Sequence, residues 1–252
     1  VKYGGSAMVD EELKKKVIQD VVLLKLVGFK PIIVHGGGKE ISRWVGKVGM
    51  EAQFKNGLRV TDEPTMEIAE MVLNKVNKSL VQLVSELGIN AVGISGKDGM
   101  MLKCRKKYAG GEDIGFVGDV EQVDATLLSD LIHKGVVPVM APLTHDGHGN
   151  MLNTNADTIA GETAKALSAL FDVTLVYCFE KKGVLRDEND DDSVIPQITR
   201  AEFEQYVADG VIQGGMIPKL ENSFEAINAG VSEVVITLAS AINDSGGTRI
   251  KK

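Results

Sequence analysis

Cysteines, aromatic residues and long apolar runs are all scarce in this sequence of 252 residues. The two cysteines, Cys104 and Cys178, lie far apart and form no disulfide framework, so the sequence predicts a reduced, cytoplasmic protein. No apolar run approaches the ~18–20 residues that span a bilayer, and no signal peptide precedes the first strand, which argues against a membrane partner. The formal net charge is −7 and no block of Lys and Arg occurs, which argues against nucleic acid as a partner.

Glycine is abundant, with 28 residues, which suits a fold with many tight turns between strands and helices. The strand-like runs are short, rich in β-branched residues and apolar on both faces, as in a parallel sheet that helices cover on both sides. They comprise residues 31–35, 91–95, 136–141, 173–178 and 234–238. Their alternation with helical patterns predicts an α/β protein with a mainly parallel sheet. Only Val1–Tyr3 remain of a first strand, so we expect a few upstream residues to be missing.

Helical patterns fill most of the segments between these strands. They are expected near residues 11–27, 40–48, 66–87, 122–133, 155–170, 200–208 and 220–229. Segments 99–121 and 143–152 instead have the alternation and turn residues of antiparallel hairpins. No linker rich in Pro, Gly or Ser divides the chain, so two lobes would share one sheet.

The helix near 66–87 is apolar over a wide arc. Met66, Ile68 and Met71 lie off its main apolar stripe. We expect these side chains to meet a second copy of the chain in a homodimer. The alternative is that the hairpins of 99–121 cover them.

Two of the predicted strands end in glycine turns. Gly4 and Gly5 follow the first strand, and residues 36–38 follow the run 31–35. Glycines at the carboxyl end of a parallel strand let backbone N–H groups converge on an anion, and the next helix adds the positive end of its dipole. Lys2 stands beside the first turn, so the pattern predicts a phosphate site. The simpler alternative is that both are only tight turns.

The well-known phosphate-binding and hydrolase motifs are absent. The sequence contains neither a P-loop nor a dinucleotide-binding G-x-G-x-x-G after a strand. The HGGG segment at 35–38 is also found in lipases and esterases, but the nearest candidate for their nucleophile elbow has Lys97 in place of the second glycine. The acidic run 186–193 lacks the glycine and the final glutamate of a calcium loop, so no metal-ligating residue is predicted.

Further polar residues stand where a purely structural role does not account for them. Arg59, in a polar turn, offers a planar fork for a carboxylate. Asn153, Asn155 and Asp157 cluster at a helix start, which is more than one N-cap needs, and Asn155 is the expected cap. Lys219, expected at a helix N-terminus, opposes the dipole there and is therefore predicted to face an anion.

Seven motifs occur in an order and spacing that together resemble the N-acetylglutamate kinases of the amino-acid kinase family. They are VKYGG, VHGGG, NGLRVT, GISGKDG, NTNAD, GGMIPK and GTRI, and they cover essentially the whole chain. The resemblance implies an α/β, three-layer sandwich with a mainly parallel central sheet, the amino-acid kinase (carbamate kinase-like) fold. It also implies an amino-acid-substrate and dimerisation lobe at 1–168 and a nucleotide-binding lobe at 169–252.

The resemblance also implies roles for individual residues. The implied catalytic residues are Lys2 and Lys219, which flank the phosphoryl group, and Asp157, which organises both lysines. The implied substrate contacts are Gly37, Gly38, Arg59 and Asn153. The implied nucleotide contacts are Gly4, Gly5, Lys182, Gly183, Val184, Leu185 and Met216.

The implied reaction is phosphorylation of the γ-carboxylate of N-acetyl-L-glutamate by ATP in arginine biosynthesis, with Mg²⁺ held mainly by the phosphates. N-succinyl-L-glutamate is an open alternative substrate, and other kinases of the family or a non-catalytic sensor are weaker ones. The segment 178–184 departs from the TDVxGV pattern of the family, which leaves its ribose or adenine contacts open. Arginine-inhibited members carry an extra amino-terminal helix, whereas this chain begins at the first strand; if only a few upstream residues are missing, arginine control is not expected.

Overall fold

The computed structural model describes residues 1–8, 10–243 and 246–251. Its strands, in chain order, are β1 (Lys2–Tyr3), β2 (Ile33–His35), β3 (Phe54–Lys55), β4 (Leu58–Arg59), β5 (Ala91–Ser95), β6 (Leu102–Ala109), β7 (Glu112–Val123), β8 (Val137–Ala141), β9 (Leu143–His145), β10 (Met151–Thr154), β11 (Thr174–Phe179), β12 (Gln197–Ile198), β13 (Glu233–Leu238) and β14 (Thr248–Ile250). Its α-helices are α1 (Glu11–Leu26), α2 (Gly38–Lys47), α3 (Glu63–Glu86), α4 (Thr126–His133), α5 (Ala156–Ser168), α6 (Arg200–Ala208) and α7 (Met216–Asn228).

Eight strands form the central sheet, in the order β12-β14-β13-β11-β1-β2-β8-β5. Neighbouring strands are parallel except for β13 and β14, which run antiparallel. The five strand-like runs of the sequence correspond to β2, β5, β8, β11 and β13. The predicted mainly parallel sheet is therefore confirmed.

Helices cover both faces of this sheet. α1 and α3 pack on one face, and α4, α5, α6 and α7 pack on the other. Successive strand residues enter opposite cores: Ile33 and Cys178 face α1 and α3, while Val34 and Tyr177 face the other side. This three-layer arrangement explains why the strands are apolar at nearly every position.

Four strands, β6, β7, β9 and β10, pair in a closed ring outside the central sheet. β6 with β7 and β9 with β10 are antiparallel, which confirms the hairpins predicted at 99–121 and 143–152. β10 leads directly into α5, where the Asn155 side chain accepts hydrogen bonds from the N–H groups of Asp157 and Thr158 at 2.8 and 3.2 Å. Asn155 is thus the N-cap of α5, as predicted, and Asp157 lies in the first turn of this helix.

Two helices, α4 and α7, begin four residues away from the predicted start. α4 begins at Thr126 rather than near 122, because residues 122–123 still belong to β7. α7 begins at Met216 rather than near 220, so Lys219 lies inside its first turns. Pro218 is tolerated there because the N–H groups of a first turn have no partner within the helix.

The wide apolar arc of α3 is mostly covered within the subunit. Met66 and Ile68 are only 8% and 7% exposed and pack with Ile41 and Val45 of α2. Of the three residues predicted to face a second copy, only Met71 is exposed, at 59%. The prediction is therefore wrong for Met66 and Ile68, because α2 together with Phe116 of β7 and Leu143 of β9 packs in the same cluster.

Two further findings concern membranes and cysteines. Cys104 and Cys178 are both free and buried. In the described parts of the chain, no helix has the length and apolar character needed to cross a bilayer.

Candidate active site

The turns after β1 and β2 meet at the carboxyl edge of the central sheet. The two strands are parallel neighbours, so Gly4 and Gly36 follow them at the same edge. The Gly36 N–H donates to the Tyr3 carbonyl at 2.8 Å. A Cβ on Gly36 would lie 3.3 Å from the Gly4 Cα, so the backbone is bare here because the two turns touch.

The start of α2 supplies backbone donors at the second turn. Gly37 precedes the helix, and no side chain caps its N-terminus. A Cβ on Gly37 would lie 2.4 Å from Leu73 Cδ2, so α3 packs directly on this turn. The N–H groups of a first helical turn lack intrahelical partners, and the helix dipole is positive there. The turn at Gly37 and Gly38 is therefore suited to an anion.

Lys2 from β1, Asp157 from α5 and Lys219 from α7 meet beside the first glycine turn. Lys2 Nζ lies 2.8 Å from Asp157 Oδ1, and Lys219 Nζ lies 2.9 Å from Asp157 Oδ2. A Cβ on Gly4 would lie 2.9 Å from Lys2 Nζ, so glycine lets that ammonium group lie against the backbone. One carboxylate thus orients two ammonium groups, and the cluster keeps an excess positive charge that suits a phosphate ligand.

Burial and neighbouring charges determine the ionisation of this cluster. Burial favours the neutral form of Asp157, but the charges of Lys2 and Lys219 outweigh it and hold the pKa of that carboxyl below its usual range. Burial lowers the pKa of Lys219; Asp157 opposes this effect, while Lys2 adds to it. Asp157 is therefore ionised at neutral pH, and Lys219 loses its proton more readily than an exposed lysine.

Two aromatic rings of β11 flank Lys219. Its Nζ lies 4.9 Å from the ring centroid of Tyr177 and 5.6 Å from that of Phe179. The Tyr177 hydroxyl also donates to the carbonyl of Asp157 at 3.3 Å. Ring faces attract ammonium groups, so both rings help to hold Lys219. The sequence analysis did not assign these two residues to the site. Their only sequence signal is that they are two residues apart on a strand, which puts both side chains on the same face.

Arg59 reaches the second glycine turn from the hairpin of β3 and β4. Asn56 and Gly57 form its turn with positive φ values of 49° and 76°, a conformation that both residue types favour. Arg59 Nη2 donates to the Gly38 carbonyl and to Ser42 Oγ, both at 2.7 Å. Arg59 Nη1 is buried and has no hydrogen-bond partner among the residues that the structure describes. One prong of the guanidinium fork is thus available to an anionic ligand.

Asn153 is joined to Arg59 through Thr61. The Asn153 amide donates to Thr61 Oγ1 at 3.3 Å, and that hydroxyl donates to the Arg59 carbonyl at 3.1 Å. Thr61 is fully buried, and a Cβ on Gly115 of β7 would lie 2.0 Å from the Thr61 carbonyl oxygen. Sequence analysis did not single out Thr61, because the contact with β7 depends on the tertiary fold.

The chain matches known proteins along its length. The profile of the amino acid kinase family matches residues 1–238. The acetylglutamate kinase of Bacteroides thetaiotaomicron is 64% identical over 253 aligned residues, which cover all of this chain and 97% of that protein. The chain belongs to the amino acid kinase family.

Solved structures share the fold of this amino acid kinase. The protein smu.665 from Streptococcus mutans UA159 has a TM-score of 0.81 at 27% identity, over 99% of this chain and 96% of that one. A carbamate kinase from Giardia has a TM-score of 0.71 at 15% identity, over 100% and 97% of the two chains, which shows the fold alone. The predicted carbamate kinase-like fold is therefore confirmed.

The segment that departs from the family pattern begins beside the lysine cluster and the glycine turns. Phe179 turns its ring toward Lys219. Glu180 lies 3.6 Å from Lys39 Nζ, and a Cβ on Gly5 would be 3.3 Å from Glu180 Oε1. Glu180 therefore lies beside both glycine turns, whereas the Phe179 ring packs near Lys219.

Residues 183–185, predicted to contact nucleotide, are largely engaged within the subunit. The Val184 N–H donates to Thr248 Oγ1 and its carbonyl accepts from the Ile195 N–H, both at 2.8 Å. Val184 and Leu185 are buried, and a Cβ on Gly183 would lie 2.7 Å from Thr248 Oγ1. These contacts disfavour Val184 as a nucleotide contact and explain the glycine at 183 by packing.

Lys182 and Met216 are the more accessible members of the predicted nucleotide set, apart from the glycine turns. The Lys182 side chain is half-exposed and pairs with Asp192 of the acidic loop. Met216 is half-buried at the start of α7, the helix that carries Lys219. The assignment of Lys182 and Met216 as nucleotide contacts remains a prediction.

Among the residues that the structure describes, neither the large cavity of the protein nor a metal-binding cluster contributes to the predicted site. A cavity of about 600 Å³, with Val1, Pro31 and Leu175 in its walls, is lined by none of the predicted site residues. Within residues 1–8, 10–243 and 246–251, no group of three or more His, Cys, Asp or Glu side chains is placed to hold a metal ion.

Proposed function

We propose that this chain is an acetylglutamate kinase, which transfers the γ-phosphoryl group of ATP to the γ-carboxylate of N-acetyl-L-glutamate in arginine biosynthesis. The observation that carries the proposal is the meeting of Lys2, Asp157 and Lys219 beside two touching glycine turns. The identity of 64% to the acetylglutamate kinase of Bacteroides thetaiotaomicron, over the full chain, supports the choice of substrate.

The reaction needs positioning and charge stabilisation rather than a general base. An oxygen of the ionised γ-carboxylate attacks the γ-phosphorus, the bond from phosphorus to the bridging oxygen breaks, and ADP leaves with that electron pair. Lys2 and Lys219 flank the transferring group and stabilise its charge together with backbone N–H groups of the turns. Asp157 acts by holding both ammonium groups in place before the substrates arrive.

The site also suits ATP. The bare turn at Gly4 and Gly5 can bind phosphates, with Lys182, Gly183 and Met216 on the nucleotide side. Both oxygens of Asp157 face lysines, so Mg²⁺ would be held mainly by the phosphates of ATP. When bound, Mg²⁺ would neutralise part of the phosphate charge.

The amino-acid substrate would lie at the second glycine turn. The free Nη1 of Arg59 is placed to bind the α-carboxylate, and Gly37 and Gly38 offer backbone donors. The Asn153 amide nitrogen is engaged by Thr61, which leaves its oxygen to accept an N–H such as that of an acylated amino group.

The division into two lobes is supported by the strand order. The strands from residues 1–168, β1, β2, β8 and β5, are consecutive in the sheet, and those from residues 169–252, β12, β14, β13 and β11, form its other half. We assign the amino-acid substrate and dimerisation to the first lobe and the nucleotide to the second. The proposed phosphoryl site lies where β1 and β11 meet.

A homodimer and a cytoplasmic location belong to the same proposal. β5 is an edge strand of the sheet, and Met71 is exposed on α3, the helix that packs on β5 and β8. An edge strand and an exposed apolar side chain each favour pairing with a second copy. Sedimentation should then show a dimer at micromolar concentration that Met71→Glu weakens, and a monomeric unmodified protein would contradict the idea.

Trapping of the acyl phosphate tests the activity. The purified protein with ATP and Mg²⁺ should form a product that hydroxylamine traps when N-acetyl-L-glutamate is supplied. N-succinyl-L-glutamate, assayed in parallel, decides between the two acyl groups. Trapping only with free glutamate, free aspartate or carbamate would contradict the assignment to acylated glutamate.

A further inference from the structure

His35 precedes the second glycine turn, and the proposed chemistry gives it no role. It ends β2, is fully buried and lies directly before Gly36. His35 Nδ1 lies 2.7 Å from the Gly36 carbonyl oxygen, and His35 Nε2 lies 3.2 Å from Asn77 Nδ2. Both ring nitrogens therefore have a partner inside the protein.

The partners fix where the proton of the imidazole lies. Asn77 Nδ2 also lies 2.8 Å from the carbonyl oxygen of Val139, which only the amino end of the amide can approach favourably. Asn77 therefore donates to His35 Nε2, which must be the unprotonated nitrogen. The proton is on Nδ1, which donates to the Gly36 carbonyl.

The approach of Asn77 depends on a glycine in the edge strand. Asn77 lies on α3 and is only 2% exposed. A Cβ on Gly93 of β5 would lie 1.8 Å from Asn77 Oδ1, so any other residue there would displace the amide. The sheet thus contains a space that lets α3 reach His35.

The bond to Gly36 has a geometric consequence at the site. In a planar trans peptide, the carbonyl of one residue and the N–H of the next point in opposite directions. The carbonyl of Gly36 and the N–H of Gly37 belong to one such peptide, and in the described part of the chain the Gly37 N–H has no hydrogen-bond partner. The hydrogen bond from His35 therefore sets the direction of a free donor.

We propose that His35 and Asn77 are positioning residues, which hold the Gly37 N–H toward the reacting groups by keeping one neutral tautomer of the imidazole. The proposal rests on the function proposed above. Burial lowers the pKa of His35 to about 4, against the effect of its bond to Gly36, so the ring is neutral during turnover near pH 7.

Two substitutions at His35 separate its two hydrogen bonds. In His35→Asn, the amide nitrogen can occupy the place of Nδ1 and still donate to Gly36, but the contact with Asn77 is lost. In His35→Gln, the longer side chain can still accept from Asn77, but the donor to Gly36 is lost. We expect kcat to fall about fivefold in His35→Asn and about 10²-fold in His35→Gln, the scale of one lost preorganised donor.

The stability of the variants distinguishes positioning from packing. His35→Asn removes more buried volume and should unfold at the lower temperature, although it is the more active variant. His133→Gln, at an exposed histidine of α4, is the matched control and should keep the unmodified kcat. Equal activity of the two His35 variants, or activities that follow their stabilities, would overturn the proposal.

The tautomer can be observed without activity. Of the four histidines, the ¹⁵N signal of His35 is identified by its absence in His35→Gln, and it should show the proton on Nδ1. A proton on Nε2, or on both nitrogens, near pH 7 would overturn the inference. If the unmodified protein phosphorylates no acylated glutamate, the proposed function fails instead, and the tautomer result still stands.

Discussion

The lysine cluster (Lys2, Asp157 and Lys219) and Arg59 at the second glycine turn differ in how their buried charges are paired. In the cluster, both ammonium groups have Asp157 as a partner before any ligand arrives. In the turn, Arg59 Nη2 is satisfied by the chain, whereas Nη1 is buried without a partner among the described residues. An unsatisfied buried donor costs about 1–3 kcal/mol, which a ligand carboxylate would recover. On the proposed function, the cluster would be preorganised for the transition state, and Arg59 would be prepared for the ground-state substrate.

Removal of a cluster lysine should give the largest effect. Lys219→Ala should lower kcat at least ~10²-fold with little change in the KM of either substrate, because the lost charge acts on the transferring group. Steady-state kinetics with trapping of the product measure this. Lys16→Ala, at an exposed lysine of α1, is the control and should leave kcat unchanged.

Removal of the arginine should affect binding instead. Arg59→Ala should raise the KM of the acylated amino acid by ~10- to 10²-fold, since charge-assisted hydrogen bonds contribute roughly 1.5–3 kcal/mol. Arg59→Lys keeps the charge but loses the planar fork of the guanidinium, so its KM should lie between those of the unmodified protein and Arg59→Ala. A fall in kcat at constant KM would show that the two regions have exchanged roles.

The pH dependence of kcat should report the ionisation of Lys219 in the lysine cluster. Burial lowers the pKa of Lys219, so its charge is fully present below that pKa and is lost as the pH rises through it. kcat should then fall about tenfold per pH unit on an alkaline limb whose midpoint lies below the pKa of a free lysine. Lys219→Arg, measured in the same way, should shift the limb to higher pH. A limb that is unchanged in Lys219→Arg would assign it to another group.

The smallest effect is expected at Thr61, whose hydroxyl joins Arg59 to Asn153. Thr61→Val keeps the shape but removes the hydroxyl, so the KM of the amino-acid substrate should rise about 2- to 10-fold, as for one net hydrogen bond. The KM of ATP should not change. Thr61→Ser keeps the hydroxyl and should restore most of the affinity; a Val variant with unchanged KM would remove Thr61 from the positioning of substrate.

Much of the fold and part of the site could be predicted because they depend on local rules. The five apolar runs predict parallel strands, since a strand buried on both faces needs apolar residues at successive positions. The glycine turns of residues 4–5 and 36–38 and the cap at Asn155 are visible as local patterns at the ends of strands and the start of a helix, although contacts between the turns and with α3 explain why Gly36 and Gly37 are glycines. The resemblance to the family added which lysines and which aspartate to expect together.

The tertiary structure decided the contacts between residues far apart in the sequence. α2 covers Met66 and Ile68, which periodicity alone left exposed. The rings of Tyr177 and Phe179 beside Lys219 and the approach of Asn77 to His35 depend on which strands are neighbours and in what register. The sequence by itself predicted the apolar strands, the helices and the glycine turns at strand ends, because these follow from local patterns. Only the packed sheet determined the distances between those groups, because side chains from separate elements meet where layers and register place them.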